Sequence, residues 1–395
     1  MAAQSSRAFA VYRLPHASEC TLVEQVEGSP CCLPSVEQLS GRSGFVVAPF
    51  HAGAGAPVVL IRPDRLQQFP ASAPAPEMQA AKMQAAKPPA TVPGGFAAGG
   101  ISGFAAGAAP SFAAGAAPGF AAYSRDFASF HRAIAAGRFS KLVLARSAEE
   151  PAVPADSHLQ LFHRACQLYP RLFVALVSTP QSGIWLTATP EILLEGHDGT
   201  WRTSALAGTM RLTGDDLNSE GERLLWSVKD IREQHYVASY IADTLRSLGI
   251  TFTEDGPRTV RAANLVHLRT DFTFALPQEQ DASPIYNKCT RVGSLLAALY
   301  PTPAVCGLPK AGALRFILSN EHTSRRYYSG FMGPVGIDSG QGLSTHLYVT
   351  LRCMELCPDV CRLYAGGGLL AESTLQKEWQ ETEAKLQTMR QLLYV

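Results

Sequence analysis

The stretch GIWLTATPEILLEGHDGTWRTSAL, residues 183–206, is the part of the sequence that decides the fold class. Two runs rich in aliphatic and β-branched residues flank the tripeptide His-Asp-Gly at 197–199, which predicts a β-hairpin. The run that ends before Pro190 adds a third strand, so we expect a meander with a local break at the proline. Neighbouring strands joined by such short turns are typical of antiparallel sheets.

Similar strand-like runs occur on both sides of this stretch, and helical patterns separate them. The further predicted strands cover residues 8–14, 44–50, 57–64 and 141–147, with several more between Tyr327 and Ala365. Because strands come in runs with helices between them, an antiparallel α+β fold is favoured over a doubly wound parallel sheet.

Three helices are predicted from apolar spacing and from capping signals. The first covers residues 123–136 and ends at Gly137, which suits a C-terminal cap. The second is a long helix that follows a capping box, Ser-x-x-Glu at 219–222, and carries an apolar stripe over 237–248. The third begins at about Thr374.

Residues 71–122 differ in composition from the rest of the chain. Ala, Gly and Pro dominate, no charged residue occurs from 88 through 124, and phenylalanine recurs every eight residues, at 96, 104, 112 and 120. Such a segment buries too little apolar surface to offset the entropy of ordering, so we interpret it as a low-complexity linker. The alternative is a Phe array that binds a partner. The linker divides the chain into a β-rich portion, residues 1–70, and a core, residues 123–395.

The charge balance bears on the partners. The 395 residues contain 34 basic and 33 acidic side chains, a net charge of +1, which argues against nucleic acid or an anionic membrane surface as a partner. No run approaches the roughly 20 apolar residues of a membrane span, and the first residues lack an apolar signal core. We therefore expect a cytoplasmic monomer that acts on a small molecule.

The nine cysteines include no Cys-x-x-Cys pair. An odd number without that spacing predicts reduced thiols in a cytosol. Cys353, Cys357 and Cys361 would share a helix face, but Pro358-Asp359 between two β-rich runs favours a hairpin that separates them.

Two acid-x-x-acid pairs are the most informative chemical feature. Asp230 and Glu233 lie in one predicted helix, Glu378 and Glu381 in another, and acids three residues apart share a helix face. Both pairs adjoin apolar stripes, so we expect the carboxylates to point inward, where a cation must offset their charge. Mg²⁺ suits one Glu from each helix, Glu233 and Glu381, with Asp230 and Glu378 around them. The alternative is two solvated helix faces.

A second group of residues suits an anion and proton transfer. Arg352, Lys385 and the backbone of Ala-Gly-Gly-Gly at 365–368 form a candidate carboxylate site. Lys141 at the start of an apolar strand and Glu191 just after Pro190 form a candidate base and acid, although a strand-start lysine alone is more often a surface residue.

The order of these motifs resembles the chorismate-utilising enzymes, and among them the isochorismate synthases. The matching segments are KLVLAR, TATPEILL, ALAGTMR, SVKDIREQH, VHLRT, YPTPAVCG, RRYYSGFMG, VTLRC, LYAGGGLL and KEWQETEAKL, in that order from about Ala122 onward. The resemblance implies a single large domain in which an antiparallel β-sandwich, extended by strands from residues 1–70, is wrapped by helices. It also implies the Mg²⁺-dependent conversion of chorismate to isochorismate, a precursor of menaquinone, siderophores or salicylate.

The resemblance assigns roles to individual residues. Lys141 matches the general base that activates water, Glu191 the general acid that protonates the leaving hydroxyl, and Glu233 and Glu381 the Mg²⁺ ligands. The positions that match the chorismate pocket are Gly208, Thr209, His267, Ala304, Tyr328, Arg352, Gly366, Gly367 and Lys385.

Two sequence positions distinguish between the sub-families of these enzymes. Enzymes that install ammonia usually carry Gln in place of Lys141 and Gly-Thr in place of Pro303-Ala304, so this chain matches those that use water. The alternatives are a salicylate synthase, which would also eliminate pyruvate, and a catalytically silent chorismate-binding protein. Three residues depart from the family's pattern. Ile231 occupies a position where the family usually has Arg, Gln234 one where it usually has His, and Arg326 one where it usually has an acidic residue.

Overall fold

Two antiparallel β-sheets form the body of the computed structural model, which describes residues 8–53, 55–72, 119–212, 224–262, 265–276, 292–338, 340 and 342–394. The strands of sheet A are β1 (Ala8–Arg13), β2 (Glu19–Gln25), β6 (Arg65–Pro70), β7 (Lys141–Pro151), β8 (Phe173–Thr179), β9 (Gly183–Thr189), β14 (Gly307–Leu308), β18 (Cys353–Leu356) and β19 (Val360–Leu369). The strands of sheet B are β3 (Cys31–Leu33), β4 (Gly44–Ala48), β5 (Val58–Ile61), β10 (Ile192–His197), β11 (Thr200–Arg211), β12 (Phe252–Ala262), β13 (Leu265–Ala275), β15 (Phe331–Val335), β16 (Ile337–Asp338) and β17 (Leu343–Val349).

The early strands take part in both sheets. Sheet A has the order β14-β7-β19-β18-β9-β8-β1-β2-β6, and sheet B has the order β12-β13-β11-β10-β17-β15-β4-β5-β3, with β16 beside β17. β1 and β2 therefore extend sheet A beyond β8, while β4 and β5 extend sheet B beyond β15.

The two sheets pack face to face through aromatic and aliphatic side chains. Tyr12 and Phe173 of sheet A meet Phe45 and Tyr348 of sheet B in one buried cluster. The rings of Phe173 and Tyr348 stack with centroids 4.3 Å apart. Such interdigitated inner faces are how a β-sandwich builds its core, and the predicted α+β sandwich in a single domain is confirmed.

Helices cover the outer faces. They are α1 (Phe120–Ala135), α2 (His158–Leu168), α3 (Val228–Ser247), α4 (Val292–Leu299), α5 (Lys310–Asn320) and α6 (Leu375–Leu393). α3 packs its apolar stripe on β11 and β13, while α6 lies against β19. None of the helices described is long and apolar enough to cross a bilayer.

The predicted meander is wrong in one respect. β10 and β11 form the expected hairpin, but β9 belongs to sheet A and β10 to sheet B. The chain crosses between the sheets at Pro190 and Glu191, because a proline has no N–H to continue a ladder. This crossing places Glu191 between the two layers.

The long helix also begins later than predicted. The capping box at 219–222 lies outside the described residues, and residues 224–227 are not helical. Helix α3 begins at Val228, where the side chain of Ser227 accepts a hydrogen bond from the Asp230 amide.

The repeat segment meets the folded body at α1. Residues 73–118 lie outside the described part of the chain, whereas Phe120 already belongs to α1, three residues before the predicted start. Its ring packs edge-on against Trp379 of α6, with centroids 5.1 Å apart.

The hairpin expected around Pro358-Asp359 is present. β18 and β19 pair antiparallel from Cys353↔Tyr364 to Leu356↔Cys361. The described cysteines are free thiols.

Candidate active site

One cavity collects residues from both sheets and from α3 and α6. The predicted residues that line it are Glu191, Gly208, Thr209, Glu233, His267, Ala304, Tyr328, Arg352, Gly366 and Lys385. Lys141, Gly367, Glu378 and Glu381 lie directly behind this lining, as the following contacts show. Thus residues separated by more than 200 positions in sequence meet at one place.

Lys141 is the first residue of β7 and its side chain is 0 % exposed. Its Nζ lies 2.9 Å from Oε1 of Glu233 on α3. The interpretation of this lysine as a surface residue is therefore wrong. An amine held in a dry interior beside a carboxylate is suited to proton transfer.

Glu191 is buried at the crossing between the sheets, with 2 % exposure. Burial raises the pKa of Glu191 to about 8, against the opposing effect of the Lys141 and Arg352 charges. A carboxyl group with this pKa keeps its proton at neutral pH, which is the state that a general acid requires.

Three carboxylates approach the glycine strand β19 from two helices. A Cβ on Gly368 would stand 2.1 Å from Oε1 of Glu233, and one on Gly367 would stand 3.0 Å from Oε2 of Glu378 and 3.8 Å from Oε1 of Glu381. Side chains larger than hydrogen would fill the space that these carboxylates use. These two glycines leave room for the ends of the carboxylate side chains, which a methyl group at either position would displace.

Each of these carboxylates has a lysine partner. Glu233 pairs with Lys141 at 2.9 Å, Glu378 with Lys229 at 2.8 Å, and Glu381 with Lys385 at 2.6 Å. Glu233 and Glu378 are 7 % and 1 % exposed, so the alternative of two solvated helix faces is wrong for them. Asp230, which is partly buried, accepts a hydrogen bond at its Oδ2 from Ser227 Oγ at 2.5 Å.

The charges perturb one another. Burial, followed by the charge of Glu381, raises the pKa of Glu378 to about 7. Burial alone would raise the pKa of Glu381, but the ammonium groups of Lys385 and Lys229 leave it below its usual value. Because the two carboxylates repel each other, one of them loses its proton more easily than the other, so the pair carries one negative charge more readily than two.

The residues fit a divalent cation. Oε2 of Glu378 is buried without a hydrogen-bond partner among the described residues, and carboxylate oxygens are the ligands that Mg²⁺ prefers. The acids belong to α3 and α6, and the part of the chain described holds no cluster of three or more His, Cys, Asp or Glu side chains close enough to hold a metal ion together.

Arg352 supplies a positive charge to the opposite wall. It is 6 % exposed, and within the described ranges no carboxylate forms an ion pair with it. Its Nη2 donates to Nε2 of His267 at 3.0 Å, while Nδ1 of His267 donates to the Gly208 carbonyl at 2.8 Å. Burial and the Arg352 charge lower the pKa of His267 to about 3, so the imidazole is neutral and accepts from the guanidinium. A buried cation oriented in this way calls for an anionic ligand.

A β-bulge shapes the wall next to His267. The register of β11 and β13 shifts between Ala207 and Met210, and Gly208 adopts φ +71°. A Cβ on Gly208 would stand 3.1 Å from Cβ of Asp230, so the glycine lets α3 approach the sheet.

The three departures from the family's pattern lie away from the cavity lining. Ile231 is 54 % exposed. Gln234 donates from Nε2 to the Ala205 carbonyl at 3.2 Å and to Thr270 Oγ1 at 3.0 Å. Arg326 forms an ion pair with the buried Glu355. Each substituted side chain has its own partner or faces solvent.

The sequence reasoning missed some of the lining. Ser329 and Val305 border the cavity without any sequence signal, and Gly368 is predicted only as part of the glycine run. Gly368 belongs to the quoted glycine run, and the side-chain alternation of a strand places it on the same face as Gly366. Ser329 and Val305 lie in irregular segments, where no periodicity indicates direction.

Comparison with known proteins agrees with this site. Residues 108–394 match the family described as chorismate binding enzyme. The chain belongs to the chorismate binding enzymes.

Curated proteins named isochorismate synthase are similar in sequence to this chain. The chain is 34 % identical over 265 residues to the salicylate biosynthesis isochorismate synthase of Pseudomonas aeruginosa, covering 65 % of this chain and 51 % of the relative. It is 28 % identical over 264 residues to the isochorismate synthase MenF of Escherichia coli, covering 66 % and 58 %. The matches thus span little more than half the length of these curated relatives.

Solved structures share the fold over nearly the whole chain. The protein named DhbC from Bacillus anthracis superimposes with a TM-score of 0.70 at 22 % identity, over 98 % of this chain and 96 % of that one. The structure of MenF from Escherichia coli gives a TM-score of 0.69 at 22 % identity, over 100 % and 90 %.

Proposed function

We propose that this protein converts chorismate to isochorismate with the help of Mg²⁺. The observation that carries the proposal is the pair of buried groups beside one cavity: a lysine, Lys141, with 0 % exposure, and a protonated glutamic acid, Glu191, with 2 %. Relatives named isochorismate synthase support the choice of substrate and product.

The two groups divide the proton transfers. Lys141 removes a proton from water, whose oxygen bonds to C2 of the ring, while the ring double bonds shift and the C4–O bond breaks. Glu191 gives its proton to the departing hydroxyl, which leaves as water. One water enters and one leaves, so substrate and product are isomers.

The substrate carboxylates have separate partners. Arg352 and Lys385 provide positive charge, and the backbone of Gly366 and Gly367 lets a carboxylate approach closely. Tyr328 lies with Arg352 at the carboxylate site, and Ala304, Gly208, Thr209 and His267 line the rest of the cavity. This arrangement binds a dianion and leaves the ring between the acid and the base.

Glu233 and Glu381 are the residues that would hold Mg²⁺, with Asp230 and Glu378 beside them. When bound, the metal would neutralise a ring carboxylate of the substrate.

We expect the working form to be a cytoplasmic monomer. A solved structure named for menaquinone and a relative named for vibriobactin both resemble this chain, so either type of pathway is compatible with the proposal.

The test is product analysis. Chorismate supplied with Mg²⁺ and without ammonia should give isochorismate until the two reach equilibrium, and pure isochorismate should run the reaction backward to the same ratio. Pyruvate in amounts equal to the chorismate consumed would make the protein a salicylate synthase. Binding of chorismate without any product would make it the silent binding protein.

A further inference from the structure

A buried ion pair lies directly after α5, between Glu321, the C-cap residue of the helix, and Arg325. Arg325 and Glu321 have side chains 3 % and 2 % exposed, and their heavy atoms meet twice, Nε to Oε1 at 2.6 Å and Nη2 to Oε2 at 2.7 Å. The guanidinium also lies over the ring of Phe50, 4.2 Å from its centroid.

The pair holds backbone atoms of two separate segments. Arg325 donates from Nη1 to the Val305 carbonyl at 2.7 Å and from Nη2 to the Val143 carbonyl at 2.8 Å. Glu321 Oε2 accepts from the Ala145 amide at 2.8 Å. Val143 and Val305 both line the active-site cavity.

These contacts satisfy backbone groups of β7 at an edge where no neighbouring strand pairs with them. On one edge β7 pairs with β19 along its length, but on the other edge β14 reaches only Lys141 and Leu142. Beyond Leu142 the Val143 amide donates to the Cys306 carbonyl, and the next free backbone groups on this edge are those that bind Arg325 and Glu321. A sheet edge buried in protein must have its polar groups satisfied, and here two charged side chains do so.

We propose that Arg325 and Glu321 are positioning residues that fix Lys141 relative to the segment 302–306, which carries Ala304. Lys141 stands two residues before Val143 on the clamped strand, and Ala304 directly precedes the clamped Val305. A buried ion pair is a poor source of stability compared with apolar side chains of similar volume, so its value here lies in the directed hydrogen bonds that its charge strengthens. The proposal rests on the proposed function for its kinetic test only.

The main variant is Arg325→Lys, which keeps the positive charge beside Glu321 but cannot hold both carbonyls with one planar group. We expect kcat to fall by about 10- to 100-fold, because a displacement of Lys141 by about 1 Å from its reacting position can reduce the rate by up to this factor. We also expect KM for chorismate to rise by about 5-fold or more, because the cavity wall at Val143 and Val305 moves with it. A purely structural role would lower the folded fraction and leave KM unchanged.

Arg13→Lys is the matched control. Arg13 is also buried and donates to three carbonyls, those of Cys166, Tyr169 and Leu172, but none of these residues lines the cavity. Compared at equal concentrations of folded protein, Arg13→Lys should keep the wild-type KM. Equal values of kcat and KM in the two variants would overturn the proposal.

Hydrogen exchange tests the clamp without any substrate. In Arg325→Lys the amides of Val143 and Ala145 should exchange at least 10-fold faster than in wild type, while those of β8 keep their rates. Unchanged exchange at Val143 and Ala145 would overturn the proposal, even if wild-type protein fails to convert chorismate. If Arg325→Lys does not fold, Glu321→Gln serves instead, and an unaltered KM together with unaltered exchange in that variant would also overturn it.

Discussion

The ammonium group of Lys141 lies 2.9 Å from Oε1 of Glu233, so the candidate base and a candidate metal ligand are each other's partners. The same arrangement recurs at Lys229 with Glu378 and at Lys385 with Glu381. Buried charges require compensation, and here the protein's own lysines provide it. A divalent cation must therefore compete with ammonium groups for the same oxygens.

This competition gives the first prediction. Lys141→Met removes the ammonium partner of Glu233 and should tighten Mg²⁺ binding by about 3- to 10-fold, the effect of about 1 kcal/mol, while turnover falls by about 10²- to 10⁴-fold. Isothermal titration with MgCl₂ measures the first effect and a chorismate assay the second.

Two further variants test whether the effect on Mg²⁺ binding is confined to the carboxylates near Lys141. Glu381→Gln should weaken Mg²⁺ binding, since it removes a charged ligand, and full turnover of wild type in excess EDTA would contradict a metal requirement. Lys310→Met is the neutral control, because Lys310 Nζ contacts the carbonyls of Ala298 and Tyr300 and no carboxylate within the described ranges. Equal tightening in the Lys310 variant would mean that the Lys141 effect is not local.

The second prediction concerns pH. Burial raises the pKa of Glu191 to about 8, so the group is protonated below that value and loses its proton as the pH rises through it. The rate kcat should therefore decline above pH 8. Glu191→Gln should reduce kcat by about 10²- to 10⁴-fold and leave a residual rate without that alkaline decline. A pH–rate profile from pH 6 to 9.5 for both proteins decides this, and an identical decline in the variant would refute the assignment.

The third prediction concerns acid stability. Burial alone would raise the pKa of Glu195, but His346, the Arg202 charge and the Tyr348 hydroxyl together lower it to about 2. A lowered pKa in the folded state contributes stability above about pH 4.5 that is lost as the pH falls toward 2. For a shift of this size the contribution is about 3 kcal/mol at most.

Urea unfolding at pH 3 and pH 7 measures this contribution. Glu195→Gln should be less stable than wild type at pH 7, and the difference between the two proteins should shrink at pH 3. Asp243→Asn serves as the control, because Asp243 pairs with Arg246 on the surface with 74 % of its side chain exposed. A constant difference between wild type and Glu195→Gln at both pH values would contradict the prediction.

The fourth prediction separates the phenylalanines of the repeat. Phe120→Ser should lower the free energy of unfolding by about 1–2 kcal/mol, since it removes the edge-on contact with Trp379. Phe104→Ser, in an equivalent repeat unit, should change it by less than about 0.5 kcal/mol, the usual effect of a surface substitution. Chemical denaturation of both variants gives the comparison. A large loss of stability in Phe104→Ser would mean that the repeat contributes to the fold.

Local patterns predicted most of the elements but not how they are arranged. The apolar run at β7 and the stripe of α6 follow from periodicity, which depends only on neighbouring residues. Periodicity does not say which sheet a strand joins, so the crossing at Pro190 was missed. The clustering of the site residues was anticipated through the family resemblance, whereas their lysine partners and the Arg325–Glu321 pair depend on contacts between distant segments, which no local spacing reveals.

The strand order has a consequence for protein synthesis. β1 pairs with β8, and β4 pairs with β15, so strands made early must wait for partners that leave the ribosome much later. Pairings this distant in sequence make folding slow and leave strand edges exposed on the nascent chain. We therefore expect the yield of active protein to rise when the waiting edges of these strands are shielded until the rest of the chain has been made.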